Sequence, residues 1–340
     1  MNLKFGTDGI RGPVESVITP EVCLKIGHAT GIVMNELGWN TAVIGKDTRI
    51  SGYMLESALQ AGFIAAGINV RLLGPIPTPG VAYLTKTLRK QFGVVISASH
   101  NDFLDNGIKI FNEDGEKISR DIEKRIEKYL NIELSPVETS KIGKAYRFDE
   151  SGPRYIEFCK STVPSNISFS SLRIVVDCAN GACYKVSPEI FKELGAEVIT
   201  IGNNPDGYNI NQDCGSTNPE IIKEAVIKHR ADYGISLDGD GDRVIIIDED
   251  GNVLDGDDLL YILAFSNPNR TGHWSGVVGT HMSNIGLEQG IQDLGYKFVR
   301  TDIGDKYVSQ MLSKKGWICL LYTSDAADEG LGVDLGGRRI

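Results

Sequence analysis

Thr41-Ala42-Val43-Ile44-Gly45 is an apolar run that ends in a charged loop, continues through a helical stretch at 55–66, and returns as Ile68-Asn69-Val70-Arg71-Leu72-Leu73-Gly74. The same order occurs twice more. Leu172-Arg173-Ile174-Val175-Val176-Asp177 leads through 188–194 to Ala196-Glu197-Val198-Ile199-Thr200-Ile201-Gly202, and Gly276-Val277-Val278-Gly279-Thr280 leads through 285–294 to Tyr296-Lys297-Phe298-Val299-Arg300. These runs are continuous rather than alternating, as expected of strands buried on both faces of a mainly parallel sheet. Strands alternating with helices give an α/β class. Three such copies predict three tandem related α/β units with mixed, largely parallel sheets. Gly67, Gly195 and Gly295 each stand just past the helix, where a left-handed C-terminal cap is expected.

Working outward, Thr19-Pro20 predicts an extra helix before the first unit: an N-cap, then Pro at the first helical position. Val22, Ile26, Ala29, Val33 and Leu37 fall on one face of it. A charged helix is expected at 121–130, a linker at 131–151, where Leu134-Ser135-Pro136 breaks regularity, and a second boundary near 251–257. The expected domains are 1–150, 151–252 and a partial third at 253–317. A chain of 340 residues has room for two or three domains at about 100–200 residues each.

The 41% hydrophobic content is that of a globular protein with a core, and the net charge of −10 argues against nucleic acid as the main partner. Phosphorylated metabolites remain open, because a local site can bind them. The N-terminus lacks an apolar signal core and no run is long enough to span a bilayer, so a cytoplasmic protein without a membrane partner is expected. The six cysteines show no CxxC and no metal-ligand spacing, and are expected to be reduced, mostly buried thiols.

Four clusters carry candidate chemistry. Phe5-Gly6-Thr7-Asp8-Gly9-Ile10-Arg11-Gly12 offers a Gly-rich backbone and the charged fork of Arg11, or else a plain N-terminal turn. Ser97-Ala98-Ser99-His100-Asn101 follows the apolar Val94-Val95-Ile96. Ser99 and His100 there read as a nucleophile beside a base, or equally as a capped turn; Asn106-Gly107-Ile108-Lys109 follows. Asp238-Gly239-Asp240-Gly241-Asp242-Arg243 sits between strand-like runs. Three alternate carboxylates separated by Gly suit one hard cation. A calcium EF-hand competes, with Glu249 at its twelfth position. Its sixth position needs Gly but holds Arg243, and the flanks are strands, so magnesium is preferred. Finally, Gly45-Lys46-Asp47-Thr48-Arg49-Ile50-Ser51-Gly52 leads into a helix and is either an anion site or a solvated loop with internal ion pairs. A hydroxyl, a triple carboxylate and several cations together meet the needs of phosphoryl transfer.

FGTDGIRG at 5–12, GKDTR at 45–49, SASHN at 97–101 with DNGIKIF at 105–111, and DGDGDR at 238–243 resemble the α-D-phosphohexomutase family. VGTHMSN at 278–284 and the stretch to Gly316-Trp317 resemble its third domain. The likeness covers residues 1–317 and is strongest to members acting on glucosamine phosphates. It implies that Ser99 carries the phosphoryl group and that Asp238, Asp240 and Asp242 hold Mg2+, with a phosphate oxygen on Ser99 completing the site. It implies that Arg11 and Arg243 stabilise the transferring group, with Lys109 the better general acid/base candidate and His100 the weaker. The implied reaction interconverts glucosamine 6-phosphate and glucosamine 1-phosphate through a glucosamine or glucose 1,6-bisphosphate. The implied partners are a phosphorylated hexosamine and, as a family expectation, a second copy in a homodimer. A phosphoserine adds about −1.5 to −2 charge beside three carboxylates, which makes the cation a requirement.

Two departures stand out. Asp102 replaces the family's Pro after SASHN, which either loosens the loop or brings a carboxylate toward the site. The family's sugar-binding loop and fourth domain do not follow Trp317. Residues 318–340, ICLLYTSDAADEGLGVDLGGRRI, match nothing in the family and read as an unmatched, non-native tail. The expectation is therefore a C-terminally truncated chain. Two alternatives follow: the same chemistry on another sugar, as in phosphomannomutase or phosphoglucomutase, or a catalytically inactive fragment.

Overall fold

A computed structural model describes residues 3–6, 8–89, 91–266 and 275–317. Thr7 and the tail at 318–340 lie outside the described residues. The chain divides into two compact units, with the break between Val253 and Leu254.

The first unit opens with β1 (Ile10–Pro13), α1 (Pro20–Glu36), β2 (Thr41–Lys46), α2 (Ser51–Ala65), β3 (Asn69–Pro75), α3 (Thr78–Leu88), β4 (Phe92–Ile96), β5 (Asp105–Phe111), α4 (Arg120–Tyr129) and β6 (Ala145–Arg147). Their sheet has the order β1-β5-β4-β2-β3-β6. β2, β3, β4 and β6 run parallel, and β5 is antiparallel to both β4 and β1. All five residues of β4 are buried, as its unbroken apolar run requires. The stretch expected as linker holds β6, a three-residue strand added at the sheet's edge.

Helix α1 starts where the Thr-Pro pair places it: Thr19 Oγ1 accepts from the Val22 amide, a cap that stabilises the helix by about 1 kcal/mol. Its expected inner face is buried, apart from a partly exposed Leu37, and it packs closely on α2. A Cβ at Gly62 would stand 2.2 Å from the Leu24 carbonyl oxygen, so only glycine admits this backbone approach. Phe63 and Phe92 meet edge to face at 5.4 Å in the core between helices and sheet.

The chain continues with α5 (Ser151–Ser161), β7 (Arg173–Asp177), α6 (Val186–Glu193), β8 (Glu197–Ile201), α7 (Pro219–His229), β9 (Tyr233–Leu237), β10 (Val244–Ile247) and β11 (Val253–Leu254). This sheet has the order β11-β10-β9-β7-β8, with β7 parallel to β8 and β9, and β10 antiparallel to β9. The second unit contains α8 (Gly256–Ser266), β12 (Gly276–Thr280), α9 (Ile285–Asp293), β13 (Lys297–Thr301) and α10 (Asp305–Lys315), with β12 and β13 parallel. All three strand–helix–strand copies are present, and the glycine after each helix is left-handed, at φ +84°, +101° and +87°. None of the described helices is long and apolar enough to cross a membrane.

Candidate active site

The C-terminal ends of β2, β4 and β9 each release a loop into one site, the edge where ligands bind in open α/β sheets. β4 delivers Ser97–Asn101, β9 delivers Asp238–Arg243, and β2 delivers Asp47 and Arg49. β5 pairs with both β4 and β1, which brings Lys109 and Arg11 alongside.

Ser99 is buried, 1% exposed, and has a left-handed backbone, φ +53°. Its amide donates to Ser97 Oγ at 2.9 Å, and its Oγ donates to Asp238 Oδ2 at 2.5 Å. Asp238, Asp240 and Asp242 each offer a carboxylate oxygen within 4.8 Å of the other two. Asp238 and Asp240 are buried, while the Asp242 side chain is 33% exposed and opens the cluster to solvent. Lys109, 1% exposed, donates to Asp240 Oδ2 at 2.9 Å and Asp242 Oδ2 at 2.8 Å, and lies 3.3 Å from Asp8. Asp8 also pairs with Arg11 and Lys117. Arg243 donates its amide to Asp238 Oδ1 at 3.1 Å. Thr78 Oγ1 donates to Asp240 Oδ2 at 2.6 Å.

These contacts separate the three carboxylates electrostatically. Burial pushes Asp238 well above the usual carboxylate range, and the charges of Asp242 and Asp240 push the same way. Burial also raises Asp242, with Asp240 adding to it. Burial pushes Asp240 up too, but Lys109 and the Thr78 hydroxyl outweigh it and hold Asp240 well below its ordinary value. Burial opposes the charge on Lys109, but Asp240 and Asp242 prevail and raise it, so it stays an ammonium at neutral pH.

The donor set suits a hard cation. Three carboxylates converge, and Asp240 Oδ1 is buried without a hydrogen-bond partner, an acceptor that an oxygen-liganded ion would satisfy.

The charged loop at 45–52 is largely buried and pairs its own charges, as the ion-pair reading expects. Lys46 Nζ donates to Glu56 at 2.7 Å, and Arg49, 0% exposed, pairs with the buried Asp47. Arg49 also reaches the carbonyls of Ser99 (3.1 Å), Asn101 (2.5 Å) and Asp102 (3.2 Å). The Asp102 carboxylate accepts from the Leu104 amide at 2.9 Å; it closes a surface turn and stays off the site. His100 is half-buried on the same loop. Sequence reading passes over Thr78 and Asn211, whose Nδ2 donates to the Ser99 and Asn101 carbonyls, both at 2.9 Å, and quotes Asp8 and Arg49 in their motifs without singling out either.

Models of the phosphoglucomutase/phosphomannomutase α/β/α domains I, II and III match residues 2–135, 153–251 and 255–321. A phosphoglucosamine mutase of Alcanivorax borkumensis is 54% identical over 92% of this chain and 70% of its own length. One from Legionella pneumophila (strain Lens) is 57% identical over 92% of this chain and 69% of its own. A putative phosphomannomutase from Thermus thermophilus superposes with a TM-score of 0.83 at 24% identity, over 94% of this chain and 73% of that one. N-acetylphosphoglucosamine mutase of Aspergillus fumigatus, solved with GlcNAc-6P and magnesium, gives 0.58 at 18%, over 92% and 64%.

Proposed function

Because the chain belongs to the phosphoglucomutase/phosphomannomutase family, and to its phosphoglucosamine mutases in particular, we propose that Ser99 is the hydroxyl that carries the phosphoryl group. The reaction is the interconversion of glucosamine 6-phosphate and glucosamine 1-phosphate, carried out in the cytoplasm. The observation that carries the Ser99 assignment is the 2.5 Å contact of its Oγ with Asp238, inside a cluster of three carboxylates.

Phospho-Ser99 gives its phosphoryl group to a sugar hydroxyl. The P–Oγ bond breaks, a P–O bond to the sugar forms, the sugar hydroxyl releases its proton, and Ser99 Oγ takes one up. The resulting 1,6-bisphosphate turns over and returns its other phosphoryl group to Ser99 by the same bond changes reversed. Lys109, hydrogen-bonded to Asp240 and Asp242 beside Ser99's loop, is assigned the proton given to the departing oxygen. Arg11 and Arg243 bring guanidinium charge to the transferring group. Asp238, Asp240 and Asp242 would hold Mg2+, which neutralises charge on the phosphoryl oxygens when bound. The fungal neighbour solved with magnesium and GlcNAc-6P supports both the metal and a phosphorylated hexosamine as partner.

The test is peptide mapping by mass after incubation with glucose 1,6-bisphosphate and Mg2+. One phosphoryl group on the peptide containing Ser99 is expected; a bare serine overturns the assignment.

A further inference from the structure

Ser99 holds a backbone conformation that L-residues avoid, and the structure contains the device that keeps it there. Its amide is taken by Ser97 Oγ and its hydroxyl by Asp238. Its carbonyl oxygen is gripped from two sides, by Arg49 Nη2 at 3.1 Å and Asn211 Nδ2 at 2.9 Å. Both donors also reach the Asn101 carbonyl, at 2.5 and 2.9 Å. Two carbonyl acceptors settle which end of the Asn211 amide is nitrogen.

The two donors come from different sheets. Arg49 follows β2, and Asn211 stands on the loop after β8, itself left-handed at φ +58°. The carboxylate loop is shaped around this grip: a Cβ at Gly239 would stand 2.6 Å from the Ser99 carbonyl oxygen and 2.8 Å from Asn211 Nδ2. The glycine between the first two carboxylates thus makes room for the hydrogen bond that orients the hydroxyl.

We propose that Asn211, acting with Arg49, is a positioning residue for phosphoryl transfer: its amide holds the Ser99 carbonyl so that Oγ faces Asp238. Asn211 touches no transferring atom and acts through Ser99. The inference rests on Ser99 being the phosphoryl carrier.

Asn211 is the residue to test, because removing Arg49 leaves Asp47 as a buried unpaired charge. Asn211→Gly tolerates the positive φ and deletes the amide; Asn211→Asp keeps the shape and turns a donor into an acceptor facing two carbonyls. The readouts are the single-turnover rate of Ser99 phosphorylation by glucose 1,6-bisphosphate with Mg2+, the dissociation constant of the bisphosphate, and the melting curve. Expected are a rate at least about tenfold lower in Asn211→Gly and lower still in Asn211→Asp, binding within about twofold of the parent, and cooperative melting. A purely structural residue would lower rate and melting together. Gly239→Ala, which intrudes on the same hydrogen bond, should slow transfer likewise. Variants that phosphorylate at the parent rate overturn the inference, whereas a parent chain that leaves Ser99 bare overturns the underlying assignment.

Discussion

Ser99 Oγ lies 2.5 Å from Asp238 Oδ2 across 139 positions of sequence. One residue lies on the loop after β4 of the first sheet and the other on the loop after β9 of the second, so neither sheet holds the site alone. Replacing Ser99 with Ala deletes one hydroxyl and leaves both loops in place. The expected result is loss of phosphoryl transfer by on the order of a thousandfold or more, with little change in thermal stability. A phosphoryl group recovered on another residue of Ser99→Ala, at the parent rate, would disprove the role.

Converging carboxylates repel one another until a cation is bound, so the ion should stabilise the fold. A ligand at a hundredfold excess over its dissociation constant contributes about 2.7 kcal/mol, which for a unit this size corresponds to a rise of about 5–10 °C in melting temperature. Mg2+ should give that rise in the parent and not in Asp238→Asn. The comparison with Ca2+ decides between the two readings of the motif: a larger shift with Ca2+ than with Mg2+ would restore the calcium loop.

The parts of this site that were legible in sequence are those whose chemistry is local. Alternate carboxylates with glycine between them already announce a cation, and a Ser after a buried apolar run announces a loop at a strand end. Asn211 carries no such sign. It lies in Asn203–Asn211, among Pro, Asp, Gly and Asn residues that suit any turn, and its role exists only through the Ser99 and Asn101 carbonyls more than a hundred positions away. The motif around Arg49 reads either as an anion site or as a loop with internal ion pairs, and the structure favours the second: the buried Asp47 takes the charge and three carbonyls take the remaining donors. β6 escaped because three half-exposed residues pair only with the edge of β3, and so show no buried apolar run.

Four buried cysteines, Cys23 in α1 and three in the second sheet's loops, give an independent check on how closed the fold is. Burial pushes Cys23 and Cys214 up to about 12, and Cys178 and Cys183 higher still. Near neutral pH their thiolate fractions fall at least about a thousandfold below that of a free thiol. Iodoacetamide should leave these four unmodified in the native protein and alkylate all of them in urea. Rapid native labelling of Cys183 would mean that the carboxylate loop, whose Gly241 lies against that sulfur, opens to solvent.

Lys109 is the group on which the buried charges balance, and its removal should show this in the pH dependence of stability. Asp240 is held below its ordinary value, so its contribution is present above the unfolded carboxylate pKa of about 3.9 and is lost as pH falls through the folded value. Lys109 is raised, so its contribution is present below the unfolded pKa of about 10.4 and is lost as pH rises through the folded value. The pair therefore stabilises the fold across the window between about pH 4 and 10. Lys109→Met leaves Asp240 and Asp242 without their cation and should cost about 3–5 kcal/mol near neutrality, measured with metal chelated. Acid protonates the abandoned carboxylates, so the deficit relative to the parent should narrow as pH falls toward about 4. A deficit that stays constant on acidification would show that Lys109 acts through packing of its alkyl stem and not through its charge.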